Sequence, residues 1–249
     1  MKAEIKWQPE HFELERTSVW DFPNRGKWAG HNGSYPGNWS PYVPRNVILR
    51  YSKESDVVLD QFVGGGTTMV EAALLNRRGI GLDINTKALH VAQCHISSVP
   101  HAERIQLFQA DARNLACISD ESIDLICTHP PYANVIKYGG DDRDLSGMTL
   151  QTFLKSMTTV ARESLRVLKP GRMIALMMGD MRRAGRYIAL ADAVMHRFVD
   201  EGFRLENIVI KIQHNMRGTR LHWSAERQLP FLLLEHEYLF IFSKTLGWT

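Results

Sequence analysis

The 249-residue sequence predicts an α/β fold: a doubly wound, mostly parallel sheet of seven strands with an antiparallel terminal hairpin. Two observations support this prediction. Short apolar runs typical of buried strands alternate with amphipathic helical segments, which is the pattern of right-handed βαβ units. The last two predicted strands have only a loop between them, so we expect them to pair antiparallel.

Hydrophobic period and the positions of glycine and proline define the individual elements. Pro44 suits the first turn of a helix that runs to about Tyr51. The parallel strands are predicted at 57–59, 79–84, 105–109, 123–127 and 173–178. Further helices are predicted at 69–76, 86–97, 152–168 and 188–201, and the hairpin at 204–212 and 233–243.

Residues 1–43 are predicted to form an irregular, aromatic-rich arm ahead of a domain at 44–249. The arm holds Trp20, Trp28 and Trp39 among many Gly, Asn and Pro residues, which do not sustain a regular helix or strand. Two interpretations stay open. The aromatic rings pack the arm on the surface, or the arm is a lid or a nucleic-acid contact, since aromatic rings stack on bases.

Composition excludes several classes of protein. Hydrophobic residues make up 44% and charged residues 23%, which argues against a disordered chain. The net charge of +3 permits a nucleic-acid partner without requiring one. No signal peptide or membrane span is apparent, and the three cysteines form no CxxC pair. We therefore expect a cytoplasmic protein with no membrane partner and no metal, in which Cys94 and Cys127 fill core space.

Unusual polar residues follow the predicted strands one after another. Asp60 and the glycines at 64–66 follow the first, Asp83 the second, Asp111 the third, and residues 129–132 the fourth. Ligands bind parallel sheets outside the carboxyl ends of the strands. The sequence therefore predicts one ligand site at this edge.

The glycine loop fits neither of the common phosphate-binding patterns. Met69 stands where the dinucleotide fingerprint needs its third glycine, and no lysine follows Gly66 as a P-loop requires. Asp60 would repel a phosphate but suits an ammonium group. Asp83 suits the two hydroxyls of a ribose, and Asp111 suits the exocyclic amine of adenine. Ammonium, ribose and adenine together describe S-adenosylmethionine.

The segment Thr128-His129-Pro130-Pro131-Tyr132 is the most specific signal in the chain. Two prolines fix the loop, and they remove N–H donors while leaving carbonyls free to accept hydrogen bonds. An aromatic ring follows directly. Such a loop suits a planar NH2 group and the ring that bears it.

These segments resemble the motifs of the amino-group DNA methyltransferases. Residues 60–68 (DQFVGGGTT) resemble the D-P-F-x-G-S-G-T-T motif, and 129–132 (HPPY) resemble the S/D/N-P-P-Y/F catalytic motif. Residues 40–45 resemble the segment that contacts the methionine end of the cofactor, and the motif order is gamma-like. The resemblance covers about 40–243 and implies a Rossmann-like fold, S-adenosylmethionine as cofactor, and transfer to cytosine N4 or adenine N6.

The resemblance, together with the residue chemistry, assigns roles to individual positions. The predicted cofactor-binding residues are Pro44, Arg45, Asp60, Phe62, Gly64, Gly66, Thr67, Thr68, Asp83 and Asp111. The predicted catalytic residues are His129, Pro130, Pro131 and Tyr132. His129 departs from the Ser, Asp or Asn of the family motif, and Thr128 beside it favours the cytosine type.

We therefore predict a site-specific DNA methyltransferase that acts on N4 of cytosine after base flipping. Adenine N6 is the alternative on the same scaffold. An RNA or protein amide methyltransferase and a non-catalytic DNA-binding subunit are further alternatives. A covalent C5-cytosine mechanism is excluded because none of the three cysteines follows a proline.

Basic residues mixed with aromatics are expected to contact DNA, since cations bind phosphates and aromatic rings enter grooves. They lie in two loops, 133–148 and 213–230, and in a basic cluster after the fifth strand. The predicted DNA-binding residues are Lys137, Tyr138, Arg182, Arg183, Arg217, Arg220, Trp223 and Arg227. DNA is the predicted partner, and a homodimer is left open.

Overall fold

A central sheet with helices on both faces organises the computed structural model, which describes residues 5–133, 142–214 and 231–245. The strands are β1 Val19–Asp21, β2 Val57–Asp60, β3 Arg78–Asp83, β4 Ile105–Gln109, β5 Ile123–Thr128, β6 Leu168–Met178, β7 Met181–Arg183, β8 Arg186–Ile188, β9 Phe203–Ile212 and β10 His236–Lys244. The helices are α1 Tyr42–Tyr51, α2 Thr67–Leu74, α3 Thr86–Ile96, α4 Leu150–Val167 and α5 Leu190–Asp200.

The main sheet has eight strands in the order β1-β9-β10-β6-β5-β2-β3-β4. Within this described sheet, β10 alone runs antiparallel to its neighbours, β9 and β6. The predicted α/β class, the parallel sheet and the antiparallel hairpin are therefore confirmed. The sheet has one strand more than the predicted seven, because β1 pairs in parallel with β9 at the outer edge.

The region after β6 also differs from the prediction. The strands β7 and β8 form a separate two-stranded antiparallel sheet. Residues 186–188, which include the predicted start of the fifth helix, belong to β8, and helix α5 begins at Leu190. This short hairpin replaces the predicted direct connection from strand to helix.

Two apolar layers cover the faces of the sheet. On one face, α4 and α5 contribute fully buried side chains such as Phe153, Met157 and Phe198. On the other face, α1, α2 and α3 pack together with Trp28 and Trp39 of the arm. Each face thus buries an apolar layer, which is the arrangement that a parallel sheet requires.

Side-chain caps and chain breakers set the ends of the helices. The Asn85 side chain accepts a hydrogen bond from the backbone N–H of Lys87 at the start of α3. The Thr149 hydroxyl accepts from the N–H of Thr152 at the start of α4. Helix α4 ends at Val167, three residues before Pro170.

The connections reverse direction between β2 and β5. From β2 the chain moves outward to β3 and β4, and it then returns to place β5 on the other side of β2. Such a reversal opens a crevice at the carboxyl ends of the two strands. Asp60 ends β2 and Thr128 ends β5, so both lie at this crevice.

Two features of the described residues concern membranes and metals. No helix in these ranges is long and apolar enough to cross a membrane. The same ranges hold no group of three or more His, Cys, Asp or Glu side chains that could hold a metal ion. Cys127 is buried as predicted, whereas Cys94 is exposed because it lies on the outer side of α3.

Candidate active site

A cavity of about 1020 Å³ lies at the crevice between β2 and β5, and we call it the switch-point cavity. Its wall contains most of the residues that the sequence assigned to the cofactor and to catalysis. These are Asp60, Phe62, Gly64, Asp83, Asp111, His129, Pro130, Pro131 and Tyr132. The two predicted sites therefore open into one space.

The glycine loop needs its glycines for two different reasons. Gly66 has a φ of +85° at the N-cap of α2, and an added Cβ would lie 3.0 Å from the Cα of Ala92 in α3. Gly64 has a φ of +48°, and a Cβ there would lie 3.1 Å from the ring of Tyr35. Gly66 thus permits the close packing of α2 and α3, whereas Gly64 lets the backbone reach the cavity wall.

Asp60 is a buried carboxylate held by three donors. The Thr68 hydroxyl donates to it at 2.5 Å, the Thr128 hydroxyl at 2.9 Å and the backbone N–H of Phe62 at 3.1 Å. Burial raises the pKa of Asp60 to about 6 in spite of these hydrogen bonds, and the nearby carboxylate of Asp83 adds to the rise. A cation in the cavity would stabilise the ionised form.

Asp83 presents a second buried carboxylate. Its Oδ2 accepts from the N–H of Gly64 at 3.0 Å and its Oδ1 from the N–H of Asn85 at 2.9 Å. Burial raises the pKa of Asp83, and the carboxylate of Asp144 adds to this. Each oxygen can accept a further hydrogen bond, so the side chain fits the two hydroxyls of a ribose.

Asp111 differs because a cation already pairs with it. The guanidinium of Arg113 donates to it from Nη2 at 2.6 Å and from Nε at 2.9 Å. Burial raises the pKa of Asp111, but the hydrogen bonds and charge of Arg113 outweigh burial and hold it below its usual value. Asp111 is therefore ionised and can accept from an amine.

Five predicted cofactor-binding residues stand behind the cavity wall. Pro44, Arg45, Gly66, Thr67 and Thr68 do not line the cavity. All five are buried rather than exposed to the cavity, and the hydroxyls of Thr67 and Thr68 donate to residues that line it. Thr67, for example, donates to Asn38 at 2.6 Å.

Arg45 belongs to a buried polar cluster between the arm and α2. Its guanidinium donates to Glu71 at 2.8 Å, and the indole N–H of Trp28 donates to the same carboxylate at 2.7 Å. The Arg45 guanidinium also lies over the ring of Phe12, at 5.1 Å from its centre. This cluster fastens the arm to the core.

The arm takes part in both the core and the site. Trp20, Trp28 and Trp39 keep 3%, 6% and 6% of their surface exposed, so the three rings are core residues rather than surface stacking platforms. Tyr35, Asn38 and Trp39 also line the cavity. The arm therefore supplies one wall of the site.

The catalytic motif is arranged around His129. Its ring stacks on Trp39 at a centroid distance of 5.5 Å, and its Nε2 lies 3.0 Å from the hydroxyl oxygen of Tyr132. Burial lowers the pKa of His129; Glu237 opposes this and Lys211 reinforces it. The imidazole is therefore neutral at pH 7 and able to accept a hydrogen bond.

Glu237 and Lys211 are site residues that the sequence did not predict. They face each other across β10 and β9, with Lys211 Nζ 3.3 Å from Glu237 Oε2. The Tyr132 hydroxyl donates to Glu237 Oε1 at 2.8 Å. Burial raises the pKa of Glu237, but its interaction with the His129 ring, the charge of Lys211 and the hydrogen bonds outweigh burial and lower it. The sequence does carry a signal for Glu237, because this charged residue directly precedes the apolar run of β10.

Thr128 lies behind the site rather than in it. Its side chain is fully buried, and its hydroxyl donates to Asp60. Thr128 does not line the cavity, so its side chain does not contact a base bound there. The support that Thr128 gave to the cytosine assignment is therefore withdrawn.

The predicted DNA-binding residues fall into two groups. Arg182 lies over the ring of Phe231 at 4.4 Å and donates to the carbonyl of Leu232, while Arg183 is exposed on β7. The other six lie outside the described residues: Lys137, Tyr138, Arg217, Arg220, Trp223 and Arg227. Arg143 and Lys211 add positive charge to the cavity wall.

The residues of the cavity fit a nucleoside with a cationic tail. A buried carboxylate precedes the glycine loop, a second suits a ribose, and a Pro-Pro-Tyr loop opens beside them. On this doubly wound sheet, that set defines a methyltransferase that uses S-adenosylmethionine.

Comparison with known proteins specifies the family. The sequence profile of the N6/N4 family of DNA methylases matches residues 2–94 and 123–247. The chain therefore belongs to this family, and both the predicted relationship and the predicted cofactor are confirmed.

Individual relatives cover smaller parts of the chain. The tRNA (guanine(10)-N2)-dimethyltransferase of Methanothermobacter thermautotrophicus is 33% identical over 39% of this chain and 29% of its own length. The type II methyltransferase M2.DpnII of Streptococcus pneumoniae is 43% identical over 27% of this chain and 24% of its own length. The chain thus spans less than a third of either relative in these matches.

The solved structures support the fold alone. TrmN from Thermus thermophilus superimposes with a TM-score of 0.58 over 84% of this chain and 50% of its own, at 20% sequence identity. At this identity the likeness identifies the architecture and leaves the substrate to the site.

Proposed function

We propose that the chain is a site-specific DNA methyltransferase that methylates an exocyclic amine, N4 of cytosine, on a base flipped out of the duplex. One observation supports this most directly. The His129–Tyr132 loop and the buried carboxylates Asp60 and Asp83 line the same cavity. A methyl donor and an acceptor amine bound there would lie side by side, and such positioning supplies much of the rate of a two-substrate reaction.

The residues at the cavity suggest how the amine is activated. S-adenosylmethionine, when bound, supplies a methyl group on a positively charged sulfur. Neutral His129 and the carbonyl of Pro130 accept the two hydrogens of the amine, which localises a lone pair that the ring would otherwise share. The nitrogen lone pair forms the new N–C bond as the C–S bond breaks and its electrons return to sulfur. One amine proton is released, and His129 is the base positioned to take it.

The carboxylates suggest how the donor is held. Asp60 pairs with the ammonium of the methionine part, and Asp83 accepts from the ribose hydroxyls. Asp111 accepts from the adenine amine, with Arg113 keeping it ionised. The glycine loop and the arm close the two sides of this pocket.

The identity of the base follows from the sequence prediction and is the part most in need of a test. The same two acceptors serve cytosine N4 and adenine N6, because both are planar amines attached to aromatic rings. The preference for cytosine depended on Thr128, which is turned away from the cavity, so the nucleoside analysis below decides between the two bases.

A second candidate, an RNA amino-methyltransferase, is favoured by one observation. The relative from Methanothermobacter thermautotrophicus acts, by its name, on N2 of a guanine in tRNA. That group is also an exocyclic amine on a base, so the same loop would serve it. Against it stand the description of the family as DNA methylases and the type II relative.

Nucleoside analysis separates these targets. The purified chain would be incubated with S-adenosylmethionine and either unmethylated genomic DNA or total tRNA, and the products digested and identified by mass spectrometry. We expect N4-methylcytosine from DNA and none from tRNA. N6-methyladenine from DNA would show that the target base is adenine rather than cytosine. N2-methylguanine from tRNA would show that the substrate is RNA rather than DNA. Incubation without S-adenosylmethionine is the control.

Contact with DNA is proposed for the basic residues that the sequence predicts, among them Arg217 and Arg220, which lie outside the described residues. Replacing Arg217 and Arg220 by Glu is expected to weaken DNA binding and to make it less dependent on salt, with the slope falling by about 1 for each phosphate that the variant no longer neutralises. Lys53→Glu with Lys155→Glu is the matched control. Both lysines are exposed, one at the opposite edge of the sheet and the other on α4. An unchanged salt slope in the arginine variant would contradict the proposal.

A further inference from the structure

A chain of hydrogen bonds runs from Glu237 to His129. Glu237 Oε1 accepts from the Tyr132 hydroxyl at 2.8 Å, and the Tyr132 oxygen lies 3.0 Å from His129 Nε2. Glu237 itself is buried and keeps 6% of its surface exposed. The contact with Glu237 does not follow from the catalytic motif alone, because Glu237 lies 105 positions after Tyr132.

The chemistry of the groups fixes the direction of each hydrogen bond. An ionised carboxylate only accepts, so the single proton of the Tyr132 hydroxyl points at Glu237. The Tyr132 oxygen can then only accept from His129, which places the imidazole proton on Nε2. Nδ1 is left without a proton and with a free lone pair.

The contacts of the His129 ring leave its Nδ1 atom accessible from the cavity. Among the described residues, His129 makes its one short hydrogen bond through Nε2, and its ring stacks on Trp39. The side chain keeps 15% of its surface exposed and lines the cavity. A ring stacked on one face and bonded at one nitrogen offers the other nitrogen to a ligand.

We propose that Glu237 is a positioning residue for methyl transfer: through Tyr132 it holds His129 with its proton on Nε2, so that Nδ1 accepts from the target amine. This inference rests on the proposed function, since it assigns the atom of His129 that meets the substrate. It also gives Tyr132 a task besides stacking, because the ring is held over Gly179, where a Cβ would lie 3.1 Å from it.

Lys211 makes the arrangement testable by a conservative substitution. Its ammonium lies 3.3 Å from Glu237 Oε2. In Glu237→Gln the amide oxygen would face this ammonium, and the amide NH2 would face Tyr132. The Tyr132 oxygen would then accept from the amide, and its proton would turn to His129 Nε2. The His129 proton would consequently move to Nδ1, where it would repel an amine hydrogen.

Nitrogen NMR reads this proton position directly. In imidazole-labelled protein the protonated and unprotonated ring nitrogens have well-separated ¹⁵N shifts, and His129→Asn identifies the His129 signals among the ten histidines. We expect the Nε2–H form in the wild type, the Nδ1–H form in Glu237→Gln and a mixture in Tyr132→Phe. Glu235→Gln, an exposed neighbour with the same charge change, is expected to match the wild type.

Kinetics provide the second readout. Glu237→Gln is expected to lower kcat on the order of 10²-fold with little change in the KM for S-adenosylmethionine. The groups that face His129 are Glu237 on β10, Lys211 on β9 and Tyr132 in its own loop. Removing the negative charge of Glu237 disfavours the imidazolium, so the acidic limb of the rate profile should move to lower pH.

The outcomes distinguish this inference from the proposed function. The Nδ1–H form in the wild type, or an unchanged proton position in Glu237→Gln, would overturn the positioning role. The wild-type spectrum decides even if the variant fails to fold. A wild type that methylates neither DNA nor RNA would refute the proposed function, and the NMR result would still stand by itself.

Discussion

Replacing Asp60 by Asn should stabilise the protein while weakening cofactor binding. Burial raises the pKa of Asp60 from 3.8 to about 6. The folded chain therefore binds a proton at pH values where the unfolded chain does not, and folding is penalised as the pH rises through this window. Above pH 6 this difference between the folded and unfolded pKa values lowers the free energy of unfolding by about 3 kcal/mol.

The geometry of the site allows Asn to fit. Its carbonyl oxygen can keep the hydrogen bonds from Thr128 and from the Phe62 N–H, and its NH2 would face Thr68, whose hydroxyl can turn to accept. Asn does not ionise, so the penalty disappears. We expect a gain approaching 3 kcal/mol at pH 7.5 and about half of that at pH 5.

Urea unfolding at the two pH values measures the gain, and calorimetry measures the affinity for S-adenosylmethionine. Asp192→Asn, an exposed position on α5, is the control and should change stability by less than about 0.5 kcal/mol. Two results would refute the reasoning: a gain that does not depend on pH, or a variant with higher stability and unchanged cofactor affinity.

Three further substitutions test the supporting structure. Gly66→Ala should lower the unfolding free energy by about 1–3 kcal/mol in urea, because φ is +85° and the methyl group would meet Ala92. Asp83→Asn should raise the Kd for S-adenosylmethionine by about 10- to 100-fold in calorimetry, since it removes a charged acceptor. Glu71→Gln should lower stability by about 3–5 kcal/mol, because it leaves buried Arg45 without a counter-charge.

Each of these three predictions has an outcome that would contradict it. A Gly66→Ala variant as stable as the wild type would mean that α2 and α3 can separate freely. An Asp83→Asn variant with unchanged affinity would remove Asp83 from the cofactor pocket. Rescue of Glu71→Gln by Arg45→Met would confirm that the destabilisation comes from the unpaired charge, and failure of the rescue would contradict it.

The sequence predicted the parts of the fold that local pattern determines. The five parallel strands β2 to β6 each contain a short apolar run bounded by turn or helix signals, and all five runs were predicted as strands. Strand β1 was missed because it has three residues with only Trp20 buried, so no alternation could be read. Its pairing with β9 depends on a contact between residues almost two hundred positions apart.

In the site, too, the residues set by local sequence pattern were predicted, and those set by long-range pairing were not. Asp60, Asp83 and His129 follow strands that meet at one edge, so topology alone brought them to one cavity. Glu237 and Lys211 were assigned to the site once the register of β9 and β10 had paired them. Arg45 shows the opposite case: the motif predicted it at the cofactor, whereas in the structure its guanidinium donates to Glu71 in the core.

The most direct test of the account is transfer of labelled methyl groups from S-adenosylmethionine to DNA by the wild type, His129→Ala and Tyr132→Ala. Calorimetry on the same samples would report cofactor binding. We predict that transfer falls by at least about 10²-fold in both variants, while the Kd for S-adenosylmethionine changes only a few-fold. Undiminished transfer in both variants would contradict the central claim that the His129–Tyr132 loop activates the amine.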